Sequence, residues 1–298
     1  MVDYEERIVM RKKEWIFNIS LGNYIKLGSY PEPGCGKPDL KIILEEIKND
    51  GFGIELWMNW NPDKNIFDRP NWSNIRKWCE GSKSLTIHSE CVEKDFESVK
   101  KEIELAAYLK ARALIVHVLN FGVVESEEKL DIDETYFFEV LKLAKKNNVI
   151  LALENGRFES LKSFLAIGGK FPNLKIILDI GHINIPGSSL LPADCPDPAK
   201  VFFEEFKGRL IHFHFHDNYG KTDDHQVPGD GSIDWKRVLK QLDEINAPHH
   251  ASFEIRTDFA NARRASLRAR DFLNGLAAYV MTRRETKKVN RGLTLIDG

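Results

Sequence analysis

The sequence predicts an α/β chain folded as a single (β/α)8 TIM barrel. Short apolar runs rich in Ile, Val, Leu and Phe alternate with longer amphipathic segments to the end of the chain, eight units are found, and no Pro/Gly/Ser-rich linker divides them. Eight strand-then-helix units in about 280 residues fit a closed parallel barrel better than an open doubly wound sheet. A G-x-G-x-x-G fingerprint after an early strand is also missing, which argues against a dinucleotide-binding sheet.

The strand runs are EWIFNIS (14–20), FGIELWM (52–58), SLTIHSE (84–90), RALIVHVLN (112–120), VILALEN (149–155), LKIILDI (174–180), RLIHFHFH (209–216) and HHASFEI (249–255). Helices are predicted near 38–50, 72–80, 94–110, 132–147, 158–168, 197–207, 234–246 and 258–281. Asp133 is a candidate cap for the fourth helix, and Ser232 or Asp234 for the seventh. The barrel is expected to span 1–282, and the charged stretch 283–298 reads as a frayed tail that could dock on a neighbour.

Composition narrows the function. Forty-three Lys plus Arg against 45 Asp plus Glu give a formal charge of −2, so the basic excess of a nucleic-acid binder is absent, although a local patch remains open. Cys35, Cys79, Cys91 and Cys195 fall singly, which indicates neither a zinc ribbon nor a disulfide framework and suggests a reducing compartment. No apolar leader core or membrane-length apolar run is present, so a cytoplasmic enzyme without a membrane partner is expected.

In barrels of this class catalytic groups project from the carboxyl ends of the strands. His88, His117, Glu154, Asp179, His214 and Glu254 fall there, and His182, Asp223 and His225 follow in loops. So many ionisable groups at one end are costly to bury unless paired or metal-bound, and a divalent metal site is the simplest explanation. Side-chain alternation places His212, His214 and His216 toward the barrel interior and Ile211, Phe213 and Phe215 toward the helices. His212, the deepest, reads as a hydrogen-bonded core residue, and His216 as a ligand neighbour or a substrate contact. The same alternation puts His250, Ser252, Glu254 and Arg256 on one face, with Arg256 either a clamp for an anion or hydroxyl or a salt-bridge partner of a carboxylate ligand. Trp57, Trp60 and Trp72 either stack on the apolar face of a sugar or pack under a long loop. Burial of Glu55 would make it a partner of a metal ligand. The basic run from Arg263 to Arg270 reads as a solvated helix face.

Taken in order, LTIHSE, LIVHVLN, LALEN, LDIGH, HFHDN, DDHQVPGDGSIDW and SFEI resemble the xylose isomerase-like barrels, over roughly residues 14–280. That superfamily includes sugar phosphate isomerases and epimerases and the endonuclease IV type of apurinic/apyrimidinic endonuclease. In the isomerase branch the resemblance implies one divalent ion on Glu154, Asp179, His214 and Glu254, with His182 on the substrate. In the endonuclease branch it implies three zinc ions on nine positions, matched here by His88, His117, Glu154, Asp179, His182, His214, Asp223, His225 and Glu254. The ligand types alone do not separate the branches. IFNISLGN, SECVEKD and GRFES depart from the endonuclease pattern where it is Gly- and His-containing, DNA-gripping and Gly-rich, respectively, and so favour the sugar branch.

The leading expectation is therefore an isomerase or epimerase of a small sugar or sugar phosphate, using one or more divalent ions such as Zn2+ or Mn2+. Glu154 and Glu254 would serve as the acid-base pair, and His182, Arg256, Trp57 and His216 as substrate contacts. The alternatives are a zinc-dependent phosphodiester hydrolase of the endonuclease IV type and a non-catalytic sugar-binding barrel. A homo-oligomer is expected from the resemblance alone.

Overall fold

The computed structural model describes residues 14–21, 40–58, 67–89, 96–117, 122–126, 129–156, 169–171, 173–185, 197–257 and 259–293. Eight parallel strands close a barrel: β1 (Ile16–Ser20), β2 (Gly53–Trp57), β3 (Leu85–His88), β4 (Leu114–His117), β7 (Leu151–Glu154), β8 (Lys175–Asp179), β9 (Leu210–Phe215) and β10 (His250–Phe253). β10 returns to β1, with Ile16 opposite His250 and Ile19 opposite Phe253, so the barrel has no free edge. The strands occupy the middles of the apolar runs, whose polar ends continue into the turns.

The described helices are α1 (Leu40–Asn49), α2 (Trp72–Cys79), α3 (Phe96–Leu109), α4 (Glu134–Lys146), α5 (Pro198–Glu205), α6 (Trp235–Glu244) and α7 (Phe259–Leu293), with a single helical turn at Ile180–Ile183 directly after β8. Asp133 and Asp234 cap α4 and α6, accepting hydrogen bonds from Tyr136 N and Arg237 N. The helix predicted over 158–168 lies outside the described residues.

The structure corrects three expectations. An antiparallel hairpin, β5 (Gly122–Ser126) with β6 (Lys129–Ile132), follows β4 where the sequence predicts no element; GVVES and KLDI are short, but Val, Leu and Ile suffice for a strand pair. α7 runs on to Leu293 instead of ending near 281, because the charged stretch is built of good helix formers and has no Gly or Pro between Gly275 and Gly292. Ile211 does not join the helix-facing layer. The register between β8 and β9 slips there, from Ile176 opposite Leu210 to Ile177 opposite His212, and Ile211 packs half-buried on a small cluster of Ala113, Ile115, Ala152 and Ile177.

Phe213 and Phe215 do lie in the large core between strands and helices, with Phe17, Ile54, Ile103 and Leu239. The small cluster shares the face of His117 and Glu154 by alternation and fills one side of the lumen. The other side is polar: Asn18, Glu55, Thr86, His212 and Ser252 are fully buried and joined by hydrogen bonds. Above both sides, at the carboxyl ends of the strands, lie the ionisable groups.

Candidate metal centre

Glu154 ends β7, Asp179 ends β8, His214 is the penultimate residue of β9 and Glu254 follows β10. These adjacent strands aim four buried side chains at one point, with one potential ligand atom from each lying within 4.8 Å of the others. His214 Nδ1 is 2.8 Å from Glu154 Oε1 and 3.4 Å from Glu254 Oε1. On one flank His88 and His117 approach the second oxygen of Glu154, at 3.0 and 3.6 Å. On the other, His182, His216, Asp223 and His225 form a further group of potential ligands. All nine positions singled out from the sequence thus come together: the groups around the quartet overlap at Glu154, His214 and His88, and the group of His182, His216, Asp223 and His225 meets the quartet at Asp179.

A backbone carbonyl can only accept a hydrogen bond, which fixes several ring protons. His88, His182 and His225 each turn Nδ1 to a carbonyl, of Ser89 (2.9 Å), Asn155 (2.9 Å) and Glu254 (2.7 Å), so Nδ1 is the protonated nitrogen in each. Their Nε2 atoms then face carboxylates, which also only accept: Glu154 at 3.0 Å, Asp223 at 3.7 Å and Asp223 at 3.0 Å. Each contact needs a cation, either a second ring proton or a metal ion. Burial opposes a charge on His88 and His182, but Glu154 overcomes it at the first and Asp179 and Asp223 at the second, raising them to about 9 and about 10. At His225 burial and the ring of His216, stacked on it at 3.8 Å, prevail over Asp223 and push the group down to about 4. Oδ1 of Asp223 and Oε1 of Glu254 are buried without a hydrogen-bond partner. The donor set fits a divalent ion, and its mixture of imidazole and carboxylate suits Zn2+ or Mn2+ better than Ca2+.

The two glutamates differ sharply. Burial raises both, but at Glu154 the charges of His214 and His117 and the hydrogen bonds of His214 and His88 outweigh it and hold the carboxyl well below its usual range. Glu254 is lifted to about 7 by burial and by the charge of Glu154, with His214 opposing.

The remaining predicted residues fall as follows. Arg256 lies past the end of β10, exposed, and its guanidinium bonds the carbonyl (3.0 Å) and carboxylate (3.4 Å) of Asp223; of its two readings the salt bridge is present. Trp57 lies flat on His88 at 4.0 Å, Trp72 packs in the core with its N–H on Phe67 O, and Trp60 lies outside the described residues. His216 is fully buried with Nε2 3.1 Å from Asp179, and His212 is the hydrogen-bonded core residue expected, 2.7 Å from Ser252 Oγ. Three positioning groups escaped the sequence reading. Asn155 bonds both the N–H and the C=O of Asp179, Asp217 anchors the loop that carries Asp223 and His225, and Asn218 ties that loop to Gly181. The only sequence signal was that each lies within two residues of a predicted donor or strand end.

The chain belongs to the xylose isomerase-like TIM barrel family, whose model matches residues 83–276. Uncharacterized protein MJ1614 of Methanocaldococcus jannaschii is 36% identical over 217 residues, 70% of this chain and 82% of that one. Uncharacterized protein y4fM of Sinorhizobium fredii is 28% identical over 187 residues, 58% of this chain; the match spans 57% of y4fM. Among solved structures, a D-tagatose 3-epimerase-like protein superposes with a TM-score of 0.68 at 22% identity, covering 90% of this chain and 99% of that one. An L-ribulose 3-epimerase gives 0.63 at 17% identity, covering 93% and 98%. At these identities the likeness is one of fold. No helix among the described residues is long and apolar enough to cross a membrane.

Proposed function

We propose that the protein is a divalent-metal-dependent isomerase or epimerase acting on a small polyhydroxylated aldose or ketose, free or phosphorylated. The observation that carries this reading is the pair Glu154 and Glu254, two carboxyls of one buried cluster whose surroundings push them in opposite directions, Glu154 well below its usual range and Glu254 up to about 7. Environments that push two carboxyls apart in this way assign one as base and the other as acid. Glu154, Asp179, His214 and Glu254 would hold a divalent ion, which would supply polarisation of a carbonyl and its neighbouring hydroxyl and so make the adjacent C–H more acidic. One of the two carboxyls, Glu154 or Glu254, takes the carbon-bound proton and the other, on the opposite side of the substrate, returns one. His182 orients a hydroxyl through Nε2, Arg256, paired with Asp223 but largely exposed, also takes a distal hydroxyl or phosphate, and Trp57 and His216 back the histidines on which they stack. The names of the structurally similar epimerases support the same class of substrate.

Incubating the purified protein with a panel of ketoses in heavy water is expected to place deuterium on the carbon beside the carbonyl. Glu254→Gln is expected to lower that exchange by roughly 10²-fold to 10⁴-fold, the usual range for an acid-base group. Absence of deuterium from every sugar in a broad panel would sink the proposal.

The flanking histidines favour one second reading, a phosphodiester hydrolase with a polynuclear zinc centre. Metal counting on His88→Ala separates the two. A mononuclear sugar enzyme keeps its full metal content and loses only part of its rate, whereas a polynuclear hydrolase loses a whole equivalent of zinc and its activity together, read as nicking of an abasic duplex.

A further inference from the structure

Beneath the quartet lies a buried carboxylate that the proposed chemistry does not use. Glu55, on β2, is fully enclosed, and its Oε2 accepts from Thr86 Oγ1 at 2.9 Å, Ser252 Oγ at 2.6 Å and His214 Nε2 at 3.3 Å. Thr86 is held in turn by Asn18 Nδ2 at 3.1 Å, and Ser252 by His212 Nε2 at 2.7 Å. No Lys or Arg among the described residues forms an ion pair with Glu55. An ionised group buried with only histidines as basic neighbours is costly, and breaking even with a neutral residue would need some return.

Glu55, His212 and His214 lie close enough to hold an ion among themselves, but their facing atoms are engaged. Two hydroxyls occupy Oε2 of Glu55, and Ser252 occupies Nε2 of His212. Oε1 of Glu55 and Nδ1 of His212 are buried without a hydrogen-bond partner, and the contact of Glu55 that leads to the quartet is the one with His214. That ring spans the two carboxylate layers, with Nε2 toward Glu55 below and Nδ1 toward Glu154 and Glu254 above. A histidine that ligates through one nitrogen has its orientation and tautomer set by the acceptor on the other.

We propose that Glu55 is a positioning residue: it keeps the proton of His214 on Nε2, so that Nδ1 presents its lone pair to the space bounded by Glu154, Asp179 and Glu254, and its negative charge strengthens that nitrogen as a donor. The two hydroxyls pin the carboxylate, so it serves the ring without swinging up to become a ligand itself. The role rests on the metal-centre reading and adds to it a residue that never touches ion or substrate.

The test compares the full chain with Glu55→Gln, which keeps an acceptor but removes the charge, and Glu55→Met, which removes both. Zinc affinity is measured by competition with a chromophoric chelator, and the His214 ring nitrogens are followed by NMR on 15N-histidine-labelled, zinc-loaded protein. The expected losses in affinity are roughly tenfold for Gln and up to about 100-fold for Met, the range for partners of metal ligands, with the Nε2–H signal of His214 kept but shifted in Gln, where a neutral acceptor replaces the charged one, and lost in Met. Unchanged affinity in both variants overturns the proposal, and so does a fall in affinity with the His214 signals unmoved, which marks a merely structural effect. Should Glu55→Met fail to fold, the Gln variant carries the test alone. A parent chain that binds no zinc or manganese overturns the metal reading itself, and this role with it.

Discussion

Asp217 shows how one residue can hold a site it does not enter. Its carboxylate is fully buried and accepts from the N–H groups of Asn218 (2.9 Å), Gly229 (2.9 Å) and Ile233 (3.2 Å) and from Trp235 Nε1 (2.7 Å). These donors bracket the segment that carries Asp223 and His225, so the loop is shaped around the carboxylate. Gly231 closes the arrangement: a Cβ there would sit 2.2 Å from Asp217 Oδ1 and 2.4 Å from Asn218 O, of which the second is backbone and cannot rotate away. Gly231→Ala is expected to cost about 1–3 kcal/mol, as overpacking does, read as a lower urea midpoint with an unchanged slope. An unaltered midpoint would show that the loop yields. At this scale the candidate ligands were legible, because ionisable residues at the ends of apolar runs conflict with their surroundings and so announce a purpose. Asp217, Asn155 and the contacts of Glu55 were not, because a polar residue in a loop or strand shows its role only once distant partners surround it.

Helix ends tell a similar story one level up. Asp133 and Asp234 were readable as caps because each is a short acceptor just ahead of an amphipathic run, and both accept from the N–H three residues on. Asp197 caps α5 in the same way, through Lys200 N at 3.2 Å, but it also accepts from Arg237 and Gln241 of α6 and so clamps two neighbouring helices. Asp133→Ala is expected to cost about 1 kcal/mol, the usual value of a cap, and Asp197→Ala about 2 kcal/mol, since further hydrogen bonds are lost with it. Chemical unfolding of the two variants checks the order, and equal losses would mean that the clamp to α6 contributes nothing. The eight barrel strands were legible because buried parallel strands are near-continuous apolar runs. The β5–β6 hairpin was not, since GVVES and KLDI are short and mixed in polarity. Neither was the far end of α7, where a charged sequence without a pattern still has helix propensity.

Across the whole molecule the buried histidines set a pH dependence for the chain stripped of metal by EDTA. Burial first of all pushes His117, His225 and His250 down to about 4 and His212 to about 3. The unfolded chain takes up those protons below about pH 6.5 while the folded one refuses them, so stability is lost as pH falls from about 6.5 toward 4. His88 and His182, raised by their carboxylates to about 9 and about 10 against burial, and His214, raised well above its usual value, behave oppositely. Their contribution is complete below the unfolded value of about 6.5 and disappears as pH rises toward 9 to 10. Glu254, lifted to about 7 chiefly by burial, keeps a proton that the unfolded chain sheds, so it costs stability as pH rises from 4.5 to 7 and partly offsets the first group on the acid side. Glu55 and Asp179, held at about 2 by neighbouring histidines against burial, contribute fully above their unfolded values and are lost only in stronger acid. The metal-free protein is therefore expected to be most stable near pH 6.5, with Tm falling on both sides in thermal melts from pH 4.5 to 9.5. Zinc must displace the ring proton that faces the quartet from His214 to bind it, so its stabilisation is expected to grow with pH and to lift the alkaline limb most. A metal-free Tm that holds level or climbs between pH 6.5 and 9 would mean that these rings are not paired with the carboxylates as the structure has them.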